Sequence, residues 1–363
     1  MRFGAFRPFG KPLLRSVADV GAWRPAVRAA VAMACVIMSV AAQAPAHAAD
    51  APRELGVADY RAYLPETHSV RVALHAFADK VRADSGGRLR IRVWPGTVAG
   101  SPESQIRAVR DAAEGAPDIM VVAATGLAGL SPGFERFDLP YEVRDDAAVD
   151  AIFDGAAGDG LLAALPSAGL VGLGWMENGF RQLTSSRALI QRPDDLKDIA
   201  VRTLPSPTSA RAFAAWGARP VAVPASGVYE ALRSGGVEAQ EGFTTQVLQS
   251  RLYEVQKHLW LTRHSFGAQV LVMNAAVWRG LDDADARILR EAAQAAAREQ
   301  RAASRAETAQ ALAKLRSLGM LVHEVPAQTL QALADATASL RRDGPAPGPA
   351  GHPQVSRLMQ NPQ

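Results

Sequence analysis

SVRVALHAFADKVRADSGGRLRIRVWPGTVAGSPESQIRAVRDAAEGAPDIMVVA, residues 69–123, is the stretch on which the fold turns. Over residues 69–81, Ala73, Leu74, Phe77 and Val81 recur at the spacing that puts side chains on one helix face. Gly86-Gly87 ends that segment. Residues 88–93 then alternate strictly, with Leu89, Ile91 and Val93 on one side, which is a strand pattern. Pro102 opens a second helix reaching about residue 114, and residues 118–123 (DIMVVA) are an apolar run suited to a buried parallel strand. Helix, strand, helix, strand predicts an α/β fold.

The rhythm continues on the C-terminal side. It predicts helices over 145–165, 206–216 and 226–234, strands over 170–175, 199–203 and 237–240, and an extended segment at 221–223. Residues 283–318 run for 36 positions without Gly or Pro, about 54 Å as a single helix. The apolar positions there are mostly Ala, so the heptad signal is thin and a brace between two lobes is the better expectation than a coiled coil. A strand over 320–325 and a helix over 327–341 follow. The tail from Gly344 (GPAPGPAGHP) reads as disordered.

The chain has 363 residues, 48% hydrophobic and 21% charged, with a net charge of +4. That length suggests about two domains. Six of the 40 Lys and Arg residues fall within residues 1–49 beside a single acid, which leaves 34 basic against 35 acidic groups downstream. The basicity belongs to the leader, so nucleic acid is not an expected partner. Residues 1–48 read as a signal peptide: a basic stretch to Arg28, an apolar run over 29–42, then Ala46-His47-Ala48 as the cleavage site. A membrane anchor is the competing reading, but it needs about 20 apolar residues. Cys35 lies inside that run, so the mature chain has no cysteine and no disulfide. The profile is periplasmic.

Catalytic signatures are missing. The sequence has no Walker loop, no G-x-G-x-x-G after a strand, no H-E-x-x-H and no G-x-S-x-G. His68, His75, His258, His264 and His323 show no metal-ligand spacing, and no pair of acids stands apart from ordinary helix surface. No cofactor or metal is expected.

Between Gly179 and Gly242, the stretches Gly179-Phe180-Arg181, residues 192–202, Gly217-Ala218 and Val237-Glu238-Ala239-Gln240-Glu241 succeed one another, and in that order they resemble the periplasmic solute-binding proteins of TRAP (tripartite ATP-independent) transporters, of the dicarboxylate-binding DctP type. Gly179-Phe180-Arg181-Gln182-Leu183-Thr184-Ser185 is similar to the family's G-x-R-x-x-T-[SN]. Residues 192–202 (RPDDLKDIAVR), Gly217-Ala218 with Pro220, Val228-Tyr229, Val237-Glu238-Ala239-Gln240-Glu241 and Tyr253-Glu254-Val255 follow in the family's order. Asp138-Leu139-Pro140-Tyr141 extends the likeness upstream, and together it covers about residues 58–340.

The resemblance implies two α/β lobes that close on a ligand, in a periplasmic-binding-protein fold with a long helix bridging them. It divides the chain into residues 49–175 mainly in the N-terminal lobe, 176–280 mainly in the C-terminal lobe, and 281–343 as the bridging helix with its return strand and helix, before the tail at 344–363. It also implies an organic acid ligand whose carboxylate meets Arg202, small and large TRAP membrane subunits as partners, and no enzymatic step. A surface arginine is the competing reading of Arg202. Arg181 is either a second ligand charge or a salt bridge near the hinge, with Glu177 as the candidate acid. Glu241 belongs to the same motif. Gly242 and Phe243 stand where the family often has Asn and Pro, which removes a polar contact and leaves Phe243, Thr244 or Thr245 to line that wall. Tyr63, Trp175 and the strand end at 123–125 are candidate walls from the other lobe; an ordinary core place competes for both aromatics. Two further readings stay open: a sensor or scavenger of the same fold without transport, and a periplasmic enzyme. A monomer is the default, and the long helix leaves a dimer open.

Overall fold

The computed structural model of the chain describes residues 51–61, 64–95, 102–187, 192–204 and 206–342. The expected signal peptide, Tyr63 and the expected disordered tail lie outside the described residues. Among those described, ten strands form one continuous sheet: β1 (Arg53–Asp59), β2 (Leu89–Val93), β3 (Ile119–Ala123), β4 (Leu170–Ser185), β5 (Ala200–Thr203), β6 (Arg219–Ala222), β7 (Ala239–Phe243), β8 (His258–Leu261), β9 (Phe266–Asn274) and β10 (Leu321–Glu324). The order is β2-β1-β3-β9-β4-β7-β5-β6, with β8 pairing β4 and β10 pairing β8. The helices are α1 (Ser69–Asp84), α2 (Pro102–Arg110), α3 (Asp146–Phe153), α4 (Ala156–Ala163), α5 (Pro207–Ala215), α6 (Val228–Arg233), α7 (Thr244–Gln249), α8 (Ala275–Arg279), α9 (Asp283–Ser317), α10 (Ala327–Ala336) and α11 (Ala338–Arg342).

Strand β4 joins two halves of the sheet. Its first part, to Phe180, pairs antiparallel with β9, and its last part, from Arg181, pairs antiparallel with β7 and β8. In the first half both faces are covered, and period-2 alternation sorts the side chains. Ile119 and Val121 of β3 join one core while Met120 and Val122 join the other, and β9 separates Leu271 and Met273 from Val270 and Val272 in the same way. The register of β4 shifts between Gly172 and Gly174. Val171 and Leu173 therefore face α1 and α9, whereas Trp175 faces the opposite core. The second half has its own two cores, one built from Leu183, Val201, Phe213 and Trp216, the other from Val228, Val247, Leu259 and Leu315.

Helix α9 spans both halves. It packs on α1 and β4, then on α7 and β10. Ala292, Ala293, Ala296 and Ala297 are its buried face, and a Cβ at Gly174 would stand 3.2 Å from Ala297 Cβ and 3.4 Å from the Ala293 carbonyl oxygen. The Ala-rich pattern is thus the face that lets a helix lie directly on a strand, which explains the weak heptad signal.

The remaining differences from expectation have local causes. The helix expected over 145–165 is broken at Gly155 into α3 and α4. The strand expected over 170–175 continues to Ser185, and β1, β8, β9, α7 and α8 are not foreseen. Strand β3 runs parallel to β1 but antiparallel to β9, so the sheet is mixed rather than wholly parallel.

Candidate functional site

The site forms where β4 passes from one half of the sheet to the other. The register slips again between Glu177 and Phe180, and Gly179 takes a φ of 81°, a conformation that glycine adopts without a Cβ clash. Glu177 fixes this point to α9. Its N–H donates to Gln300 Oε1 (2.9 Å), its carbonyl accepts from Gln300 Nε2 (2.8 Å), and its carboxylate binds the Arg305 guanidinium (3.0 and 3.2 Å). Arg305 also grips Asp150 (2.7 and 2.9 Å), so its guanidinium holds two acids. From the first half of the sheet, Arg61 binds both oxygens of Asp59 (3.0 Å each) and donates to Asn178 Oδ1 (2.9 Å).

Immediately beyond, Arg181 pairs with Phe243 across the β4–β7 ladder. Its Nε donates to Glu241 Oε2, its Nη2 donates to the Glu241 carbonyl (3.3 Å), and its guanidinium lies 4.4 Å from the Phe243 ring centre. Phe243 reaches that position because residue 267 is glycine: a Cβ there would come within 2.4 Å of the ring. Glu241 is fully buried, and its other oxygen accepts from the Leu204 N–H (2.9 Å). Burial pushes its carboxyl up, but the Arg181 charge and the neighbouring His264 outweigh that and hold it well below the usual carboxylate range. His264 lies with Nε2 at 3.7 Å from Glu241 and Nδ1 at 2.8 Å from Thr262 Oγ1; burial lowers its pKa against the pull of Glu241.

Arg202 comes in from the end of β5. It is buried, with Nε donating to the Val223 carbonyl (2.9 Å) and Nη1 to the Glu241 carbonyl (3.5 Å). Arg181 and Arg202 therefore converge on one carbonyl, that of the middle residue of β7. Asp138 approaches the same cluster: it accepts from Ser206, the N-cap of α5, and burial pushes its carboxyl up to about 6 despite the Ser206 bond and the Arg181 charge.

The structure thus brings together Arg202, Arg181, Glu241, Gly242, Phe243 and Thr244. Three expectations need correction. Arg181 pairs with Glu241, not Glu177, because Glu177 is held by Arg305. Trp175 does not join the cluster: the register shift in β4 turns it into a core of aromatics, stacked on Phe153 at 4.7 Å and in contact with Phe134 and Phe137. Ala124 is fully buried in that same core. Arg61, Asn178, Asp138 and His264 are the neighbours that sequence reasoning missed. The alternation of Leu55 and Val57 was a usable signal for β1, and with it Arg61; the others are isolated polar residues with no pattern around them.

The comparisons with known proteins point one way. The family model described as bacterial extracellular solute-binding protein, family 7 (DctP) matches residues 61–343. The chain is 35% identical over 236 residues to the 2,3-diketo-L-gulonate-binding periplasmic protein YiaO of Escherichia coli strain K12, a match spanning 65% of this chain and 71% of that one. Among solved structures, a TRAP periplasmic solute binding protein from Ochrobactrum anthropi is 30% identical, with a TM-score of 0.75 over 85% of this chain and 94% of that one. The sugar acid binding protein DctPAm from Advenella mimigardefordensis, in complex with galactonate, is 27% identical, with a TM-score of 0.72 over 80% and 92%.

Proposed function

The chain belongs to the bacterial extracellular solute-binding protein family 7, and on that premise we propose that it captures a hydroxylated organic acid in the periplasm and delivers it to the small and large membrane subunits of a TRAP transporter. The observation that carries the ligand class is the convergence of Arg181 and Arg202 on the Glu241 carbonyl. A guanidinium stays charged at every physiological pH, and its planar fork matches a carboxylate in two parallel hydrogen bonds. Glu241 answers the charge of Arg181 and fixes its orientation; Arg202, at the strand position where the resemblance to the family puts the ligand carboxylate, is assigned as the group that meets it, with Arg181 setting the potential beside it. Phe243 and Thr244 form the adjoining wall. Hydroxylated acids are favoured over plain ones because YiaO is named for a diketo sugar acid and DctPAm holds galactonate.

The work is binding and release, as in a family of solute receptors, and the reading assigns no bond made or broken. A ligand that bridges Arg202 to groups of the other lobe binds the closed form better than the open one, and that difference in affinity drives closure. Among the described residues no helix is long and apolar enough to cross a membrane, and the leader supports export.

A thermal-shift screen of residues 49–363 against mono- and dicarboxylates, keto acids and sugar acids tests the proposal. Ligand at 100 times its dissociation constant adds about 2.7 kcal/mol, a shift of several degrees. The expected result is a shift with an acid that disappears in Arg202→Ala. A folded protein, first unfolded and refolded to remove carried-over ligand, that shifts with none of the acids contradicts it.

A further inference from the structure

Gly242 sits at the fourth position of β7, between Glu241 and Phe243. Its φ is not in the left-handed region, so the backbone conformation does not require glycine there. Space does. A Cβ at residue 242 would stand 2.7 Å from Gln246 Oε1 and 3.1 Å from Gln240 Oε1. Two carboxamides therefore converge in the volume that a side chain at 242 would fill. Gln240 is the ladder partner of Arg202 in the β5–β7 pair, so this slot adjoins the guanidinium assigned to the carboxylate.

The slot is short of hydrogen-bond partners. Gln240 is fully buried, yet among the described residues neither its Oε1 nor its Nε2 has one. Thr244 Oγ1, at the start of α7 and also buried, lacks one as well. Buried polar atoms in folded proteins are almost always satisfied. Here the Gln240 carboxamide, with neither polar atom satisfied, faces the space at Gly242, and Gln246 from α7 reaches into it.

We propose that Gln246, placed in the gap left by Gly242 and backed by Gln240, is a specificity residue that reads a hydroxyl group of the ligand. The inference rests on the organic-acid reading above and adds the chemistry beyond the carboxylate. A hydroxyl both donates and accepts, as does a carboxamide, so the two satisfy each other. A second carboxylate is acceptor-only, so it could pair with the amide N–H groups but would leave the amide oxygens without a donor, while a methylene would leave every atom of the slot unpaired. The site therefore selects polyhydroxy acids against both alkanoates and dicarboxylates.

Titration calorimetry with three hydroxylated acids (D-gluconate, D-glucuronate and D-erythronate) and two unhydroxylated ones (hexanoate and adipate) tests this. The wild-type chain is expected to bind its best hydroxylated acid at least a hundredfold more tightly than hexanoate or adipate. Gln246→Leu is expected to weaken that acid tenfold or more without weakening the unhydroxylated ones, so the ratio falls. Gly242→Ala, whose Cβ displaces the Gln246 carboxamide, is expected to lower the ratio with Gln246 still present, and it guards against a folding defect peculiar to the first variant. Wild-type binding of hexanoate or adipate as tight as that of the best hydroxylated acid overturns the inference alone. So does an unchanged ratio in both variants while Arg202→Ala abolishes binding. A wild-type chain that binds none of the five acids overturns the organic-acid reading, and the inference with it.

Discussion

Arg181, Glu241, His264 and Asp138 are all buried within one cluster, and each is kept there by another. Burying an ion alone is costly, and a cation left without its counter-charge costs more than the pair contributes. Asp138 is the member with the weakest compensation, because its carboxyl is held up near 6 by burial while Arg181 and Ser206 pull it down and Glu241 and Glu135 push it up. In the unfolded chain the same group loses its proton near 3.8. Between those values the folded state binds the extra proton, so the contribution of Asp138 to stability falls as pH rises through that window. Asp138→Asn, which can still accept from Ser206, is expected to gain on the parent between pH 4 and pH 7 by up to about 3 kcal/mol. Urea unfolding of both proteins at four pH values measures it, and a difference that does not change with pH contradicts the assignment. Sequence motifs made Arg181, Arg202 and Glu241 visible, but not their pairing. Arg181 and Glu241 lie 60 residues apart, and only the antiparallel register of β4 and β7 puts them side by side.

At the scale of elements, the longer helices were legible, whereas the short α7 and α8 and several strands were not. Helix α1 shows why the first were: Leu74, Phe77 and Val81 stand on one buried face, and His68 caps its start by accepting from the Val70 N–H (3.2 Å). The stretch of β4 beyond the expected strand fails the same test because its buried residues are largely polar. Glu177, Asn178, Arg181, Gln182 and Thr184 are all buried, and ion pairs and amide bonds, not hydrophobic transfer, make that burial tolerable. Strand β9 is a short apolar run buried on both faces, which periodicity cannot separate from a buried helix. The packing of α9 on β4 depends on the absence of side-chain bulk at residue 174. Gly174→Val forces atoms into the space held by Ala297 and the Ala293 carbonyl. It is expected to destabilise the protein by about 1–3 kcal/mol, seen as a lower urea midpoint with an unchanged slope. An unchanged midpoint would show that the contact is looser than described.

At the scale of the whole molecule, the fold is that of a two-lobed solute receptor, and the chain passes between the two halves of its sheet more than once. Strand β4 crosses at 177–181. Residues 262–265 return from β8 to β9, with the Ser265 and His264 carbonyls accepting from the N–H groups of Arg181 and Tyr141 (2.9 and 2.8 Å). Helix α9 then runs along both halves. Strand β9 lies in the first half of the sheet, between β3 and β4. Length and periodicity indicated only a two-domain α/β protein; the two-lobed receptor was legible through the ordered motifs around Arg181 and Arg202. What the motifs left open is the wall around Gly242, where the amides of Gln240 and Gln246 come from different elements. The central claim, that Arg202 holds a ligand carboxylate inside this closed cluster, is tested most directly by calorimetry of the wild-type chain and Arg202→Lys with the strongest acid of the panel. Lysine keeps the charge but loses the fork, and losing one hydrogen bond to a charged group costs about 2 kcal/mol. The expected result is an affinity lower by about 30-fold or more, and equal affinity in the two proteins would contradict the account.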